Sequence, residues 1–579
     1  MSTDKRTALK AIFGKLEKLL PHLANENQHE QAVALGKINK LLAGARLDWH
    51  DFVNLLVEQE ATLKDFLRTL LFGETHLLIQ IGRTGATLFH SGAASWADIV
   101  IDGHRHTLPL EGPDFHEWLL HRFYLETKEA PKPSSLKSAI RTLSAQAKYE
   151  GEQHEVLLRA AHVDGKIYID IGGDAHVVEV DRTGWRMIED SPVRFRRAPG
   201  MAALPIPERG GSIEQLRSLV NLTDDGFVLF VSWILDALFP GRPHPPLYLA
   251  GEAGAAKTTA GKIARSLTDP NEVPLRNLPA SVRDLFIDAH AAHMLAFDNI
   301  TSISPAISDA LCQITTGGGF STRRLYTDVS QILIGGYRPV ILAGLQNAID
   351  RSDLADRAMV VSMGHVAAEQ RRSETEFWKR FETCRPQVFG ALLDCVARGL
   401  RQLPHVRLAR PPRMADFALW SVACSPFPDG VFIKAFEGAA EEAVEVVAEN
   451  DAVAVAIAAF MASRESWDGT AAGLLFELSH DRTEAAPTRW KTWPRDPASF
   501  SKKLRLATSV LRKIGVEVVF RRALDRQRTR TVALRKIETS ERPRIVPADS
   551  ADSADSADSA DSSSALAGRA LAKPRLIQS

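Results

Sequence analysis

Cysteine is scarce: the chain of 579 residues holds only Cys312, Cys384, Cys395 and Cys424, and no two are spaced as C-x-x-C. That spacing argues against a zinc ribbon or a disulfide scaffold and suits free thiols in a reducing compartment. An excess of charge is also lacking. Lys and Arg number 71, as do Asp and Glu, so affinity for nucleic acid has to come from local patches and not from a whole-molecule field. Long hydrophobic runs are missing too, and even Phe227 to Leu238 is too short and too interrupted to span a bilayer. The polar N-terminus carries no signal-peptide core, so a cytoplasmic protein without membrane partners is expected. At 45% hydrophobic and 25% charged residues the composition is globular. The length implies roughly three or four domains.

What is present is most telling at Gly251-Glu252-Ala253-Gly254-Ala255-Ala256-Lys257-Thr258-Thr259. The apolar run Pro246 to Ala250 before it reads as a buried strand, and Thr259 to Arg265 after it as the start of a helix. That is the context of a phosphate-binding loop, in which successive backbone N–H groups and a helix N-terminus face an anion. ATP is the ligand expected, with Lys257 near the transferred phosphate and Thr258 on Mg2+. Ala256 stands where the G-x-x-x-x-G-K-[ST] pattern has its second glycine. A methyl is tolerable there only if the residue avoids positive φ or close phosphate contact.

Such a core also needs a strand ending in an acid, and His293-Met294-Leu295-Ala296-Phe297-Asp298-Asn299 supplies it. Asp298 is the expected Mg2+-side carboxylate, with helix capping as its alternative role. Asn299 follows where an acid usually orients the attacking water. Asparagine positions water but takes no proton, so hydrolysis is expected either to be slow or to borrow another acid.

Three further segments follow in order: Thr315-Thr316-Gly317-Gly318-Gly319 leading to Arg323, Arg324 and Tyr326, then Arg338-Pro339-Val340-Ile341-Leu342-Ala343-Gly344, then Asp353 to Ala358 with Arg357. With the loop and Asp298 before them, they make the chain resemble phage and plasmid primase-helicases of superfamily III. It is similar more broadly to ATP-binding proteins of mobile elements, over about 75 to 535 and most securely over 246 to 361. The resemblance implies an α/β protein with a P-loop core of the AAA+ type, working as a ring homo-oligomer, often a hexamer. It implies that Arg357 reaches into a neighbour's site, with Arg351 as a second candidate, and that Arg323, Arg324 and Tyr326 grip single-stranded DNA. Ala343 departs from it, standing where related sequences carry a polar sensor; Gln346 or Asn347 is the available substitute.

Around this core, at 212–365, the pattern divides the chain into a helical module at 1–72, an α+β domain at 73–211, a helical domain at 366–485, a basic module at 486–538 and a tail at 539–579. In the first module Val33, Leu35, Ile38, Leu41 and Leu42 read as an apolar helical stripe. In the second, 156–161 and 167–171 read as paired strands, and Asp170, Asp174 and Asp181 as surface turn residues. The Pro/Gly-rich run 199–211 reads as a linker. The tail, repeating Ala-Asp-Ser, is expected to be disordered. The basic module pairs a helix near 499–513 with a hairpin, a winged-helix-like end. It carries Lys502, Lys503, Arg505, Arg512, Lys513, Arg521 and Arg522 against few acids, an electrostatic footprint for single- or double-stranded DNA.

The expectation is therefore an ATPase that serves as a DNA helicase or translocase in replication of a mobile element. The alternative is an ATP-gated DNA-binding assembly or remodelling factor that does not unwind, favoured by Asn299 and Ala343.

Overall fold

The computed structural model describes residues 28–45, 61–173, 176–318, 320–323, 331–334, 336–345, 352–366, 373–480, 493–522 and 530–537, with scattered positions before 50 and at 348–349. The tail expected at 539–579 lies outside the described residues. Helix α1 (Gln28–Gly44) buries Ala34, Ile38 and Leu42, which recur every four residues. Val33 and Leu35 are exposed instead, so the expected stripe is rotated on the helix.

Helix α2 (Ala61–Gly85) is broken at Gly73, whose φ of 74° and ψ of 157° are not helical. Behind it, β1 (Ala86–Ser91), β2 (Ala94–Ile101) and β3 (His104–Pro109) form an antiparallel meander. Helices α3 (Pro113–Thr127) and α4 (Pro133–Tyr149) cover it, and β4 (Glu152–Gln153) joins its edge beside β1. The first strand expected next is divided. Val156–Leu157 (β5) pairs with Arg194–Phe195 (β10), while Ala160–Val163 (β6) begins a second meander. Between them Arg159 sits at a φ of 54°, which redirects the chain. The meander runs β6, β7 (Lys166–Gly172), β8 (His176–Val180) and β9 (Trp185–Ile188).

Asp170, expected on a surface turn, is 3% exposed. Its carboxylate accepts from the Gly172 N–H at 3.0 Å and from Arg197 at 3.5 Å. Asp181 does hold a turn, accepting from Thr183 and Gly184. Asp174 lies outside the described residues. The run 199–211 is no free linker. The Glu208 N–H donates to the Pro386 carbonyl, and a Cβ at Gly211 or Gly390 would collide with the backbone of Gln387 or Glu208.

The central layer is a five-stranded sheet in the order β12 (Arg276–Asn277), β13 (Leu295–Ile300), β16 (Val340–Gly344), β11 (Leu247–Gly251), β17 (Met359–Met363), with every pairing parallel. Side chains alternate between its faces. Leu247, Leu249, Ile341, Ala343, Met359 and Val361 pack with α5 (Asp224–Ala237), α6 (Lys257–Thr268) and α9 (Glu374–Gln402). Tyr248, Ala250, Leu295, Phe297, Val340 and Leu342 pack with α7 (Val282–Ala291) and α8 (Pro305–Thr316). The apolar run at 227 is thus a core helix, capped by Thr223 and buried from Gly226 to Ala237. No helix among the described residues is long and apolar enough to cross a membrane. A hairpin of β14 (Phe320–Arg323) and β15 (Gln331–Ile334) leaves the sheet after α8. The second meander shares the first core, where Arg159 Nε meets Asp269 Oδ1 at 3.0 Å, both buried.

After helices α10 (Ala415–Cys424) and α11 (Val431–Asn450), the chain forms one compact end. It comprises α12 (Ala452–Ala462), β18 (Ser466–Thr470), α13 (Ala471–Ser479), α14 (Pro497–Lys513), β19 (Val516–Arg522) and β20 (Arg530–Lys536). Its antiparallel sheet has the order β18-β20-β19. One hydrophobic cluster joins Val453, Ile457, Leu474, Phe500, Leu504, Leu511 and Leu534. The packing unit therefore starts near 452, and the expected division at 485/486 falls inside it.

Candidate functional site

Strand β11 lies between β16 and β17 with all five residues buried, so its C-terminal end is fixed on both sides. Gly251 closes it because a Cβ there would lie 2.6 Å from the Met363 carbonyl oxygen. The chain then turns through exposed Glu252, Ala253 and Gly254, the last at a φ of 83°. Ala255 is buried at the base of the turn. Ala256, required by the sequence argument to avoid positive φ, does not: its φ is 64° and its ψ 26°, the left-handed region. It is the N-cap of α6 and offers no side-chain cap to the first-turn N–H groups of that helix.

Lys257 folds over the turn, its Nζ donating to the carbonyls of Gly251 at 2.9 Å and Glu252 at 2.6 Å. Burial lowers its pKa while the charge of Asp298 pulls the other way. Thr258 Oγ1 donates to Asp298 Oδ2 at 2.7 Å, so the first turn of α6 is tied to β13 across the end of β16. Asp298 Oδ1 accepts from the Asn299 N–H at 2.8 Å. Asn299 is exposed at a φ of 57°, within the register irregularity between Phe297 and Ile300. A hydroxyl and a carboxylate in contact are hard oxygen donors of the kind Mg2+ takes together with phosphate oxygens. No group of three or more His, Cys, Asp or Glu able to hold a metal occurs among the described residues.

Arg357 follows the short helical turn Ser352–Ala355 and precedes β17. In the parallel register Met359 lies beside Leu247 and Met363 beside Gly251. Arg357 therefore stands near the N-terminal end of the strands, opposite the end that carries the loop and at least about 13 Å away along them. It cannot reach the loop of its own chain. Among the described residues no side-chain hydrogen bond or ion pair engages it. Its neighbour Asp356 is engaged, accepting from Lys513 at 2.6 Å and from Arg413 at 3.2 Å, which docks α14 beside it.

Ala343 is fully buried in β16 and presents no polar group. Gln346, Asn347, Arg351, Arg324 and Tyr326 lie outside the described residues. Arg323 ends β14 opposite Gln331. In the C-terminal unit Lys502 is exposed and Lys503 half-buried on α14, Arg521 is exposed on β19, and Arg522 pairs with Arg530 across the hairpin. Arg505 is folded onto the Phe520 ring, 4.3 Å from its centroid. One residue without a motif to announce it also holds the loop: Asn221 Nδ2 donates to the Gly364 carbonyl at 2.6 Å and to that of Ala255 at 3.4 Å.

Residues 213–430 match the family model of the actinomycete integrative conjugative element replication protein, and residues 453–551 match the model of the C-terminal domain of that protein. No curated protein matches. Among solved structures, the apo A form of the NrS-1 C-terminal region (305–718) is 11% identical, with a TM-score of 0.34 over 76% of this chain and 90% of that one. The active helicase Cch of SCCmec type IV is 11% identical, with a TM-score of 0.40 over 76% and 91%. Likenesses this distant say nothing about activity. Over the two matched stretches, which contain the parallel sheet and the C-terminal unit, the chain is similar to the replication proteins of actinomycete integrative conjugative elements.

Proposed function

We propose that the protein is an ATP-driven DNA motor, a helicase or translocase of the AAA+ type, that serves replication of a mobile element. The observation that carries this reading is the contact of Thr258 with Asp298 beside a helix N-terminus without a side-chain cap, with Arg357 at the far end of the strands of the same sheet. A loop at one end of the strands and, at the other, an arginine that no side-chain hydrogen bond or ion pair engages among the described residues suit a head-to-tail ring, in which each site is completed by the next subunit. Mg2+ bound at Thr258 and Asp298 would offset phosphate charge and orient the triphosphate. Lys257, now bonded to loop carbonyls, exchanges those partners for phosphate oxygens. Arg357 of a neighbour would stabilise the charge that develops during transfer. Asn299 orients water without accepting its proton, which fits a slow motor.

In the C-terminal unit the helix, strand, two helices and hairpin follow the order of a winged helix. Lys502 and Arg521 on it supply phosphate contacts to DNA.

ATPase activity of wild type and Lys257→Ala, each with and without single-stranded DNA, tests the motor. DNA-stimulated turnover that the substitution abolishes is expected; no turnover in either protein refutes it. The buried Ala343 and the acid-free Asn299 favour a second reading, an ATP-gated DNA-binding factor that does not unwind. Strand displacement on a forked substrate separates the two.

A further inference from the structure

A second cleft lies away from the loop, between the first sheet and the second meander, with a volume of about 350 Å³. That is at the small end of the range for ligand pockets and suits roughly one nucleotide. Its frame is rigid. Arg105 of β3 donates to the carbonyls of Ser191 and Val193, Arg194 Nε meets Asp98 Oδ2 at 2.8 Å, and Thr107 donates to Asp98 Oδ1 at 2.7 Å. These bonds tie β2 and β3 to the segment around β10.

The lining of the cleft includes Trp96, Arg105, His106, Asp170, Phe195 and Arg197. Two buried polar atoms in that lining, Trp96 Nε1 and Asp170 Oδ2, have no hydrogen-bond partner among the described residues. Each such orphan costs about 1–3 kcal/mol. A donor and an acceptor left unpaired in one cleft call for an occupant that offers the complementary acceptor and donor. The Arg197 side chain pairs with Asp170 Oδ1 at 3.5 Å and donates to the Gly173 carbonyl at 3.0 Å, yet remains 34% exposed, so part of its guanidinium faces the cleft beside those partners. Burial, then the charge of Arg197, lowers the pKa of His106, which keeps its ring neutral and able to donate at one nitrogen and accept at the other. Trp96 and Phe195 add flat apolar surface.

An anion, a flat apolar body and mixed hydrogen-bonding edges occur together in a nucleoside phosphate. We propose that this cleft binds a nucleoside phosphate, with the phosphate on Arg197 and Arg105 and the base against Trp96 and Phe195. The source is either a free nucleotide or one unit of a single strand. The site does not depend on the ATP loop.

The full chain carrying Lys257→Ala, which silences the loop, is the parent for the test. Deoxynucleoside monophosphates are titrated calorimetrically. A single strand carrying 5-iododeoxyuridine is photo-crosslinked and the peptides are mapped by mass spectrometry. Adding Arg197→Ala removes a charge-assisted contact and weakens binding about tenfold or more. Adding Trp96→Phe keeps a six-membered aromatic ring, removes the N–H with the rest of the five-membered ring, and weakens binding severalfold. Saturable monophosphate binding with these losses identifies a free nucleotide. Crosslinks to the peptides bearing Trp96 or Phe195 that Arg197→Ala abolishes identify a strand. Absence of both, or binding and crosslinking indifferent to both substitutions, overturns the proposal whatever the loop does.

Discussion

Ala256→Gly is expected to stabilise the turn between β11 and α6, although it enlarges nothing and adds no contact. Ala256 holds a φ of 64° at the N-cap of α6. An L-residue in the left-handed region costs about 1–2 kcal/mol relative to glycine. Glycine loses more freedom on folding, which returns about 0.5–1 kcal/mol of that difference. The net gain is therefore up to about 1.5 kcal/mol, a rise in Tm of up to about 3–6 °C for a unit of this size. Thermal unfolding followed by near-UV circular dichroism measures it. Gly254→Ala is the matched control, because a Cβ at Gly254 would meet nothing within 4 Å and its φ of 83° is the sole cost. It should lower Tm by a similar amount. A fall in Tm on Ala256→Gly, or no change on Gly254→Ala, would refute the strain argument.

Thr258→Ala and Asp298→Asn each remove one end of a 2.7 Å contact, and each should raise the Mg2+ concentration needed for half-maximal turnover about tenfold, read from metal titrations of ATPase rate. Asp269→Ala should cost about 3–5 kcal/mol in denaturant unfolding, because it strands the buried Arg159 guanidinium. Burial would raise the pKa of Asp269, but Arg159, His293 and Arg265 outweigh it and hold the carboxyl below its ordinary value. Its contribution is present above the ordinary carboxylate range and is lost as pH falls below it, so the wild-type advantage over the variant should shrink in acid. DNA affinity should fall with salt at a log–log slope near −5 if about six phosphates are neutralised, and Lys502→Ala or Arg521→Ala should each reduce that slope by about one.

Local chemistry made the loop legible in sequence. A buried strand, small residues, lysine and threonine occur within one short segment, and the fold places them as that order implies. The apolar run before Asp298 likewise forms the strand β13 that carries it. The conformation of Ala256 was not, since alanine carries no signal for positive φ. Asp170 looks like a turn residue until Arg159 and Arg197, brought in from outside its strand, bury it. Ser466–Thr470 has little strand character of its own and becomes a strand by pairing with β20. The boundary near 452 was hidden because the cluster joins residues on both sides of an undescribed stretch at 481–492. Arg357 could be singled out from its place in the order, but its position at the far end of the strands follows only from the parallel register.

That position is the central claim and can be tested by mixing subunits. Lys257→Ala and Arg357→Ala proteins are each expected to be nearly inactive as ATPases. Mixed in equal amounts and allowed to exchange, they should regain activity at about a quarter of the sites, where the intact loop of one meets the intact arginine of the other across a heterologous interface. A mixture as inactive as its parts, or full turnover by Arg357→Ala alone, would contradict a site shared between subunits.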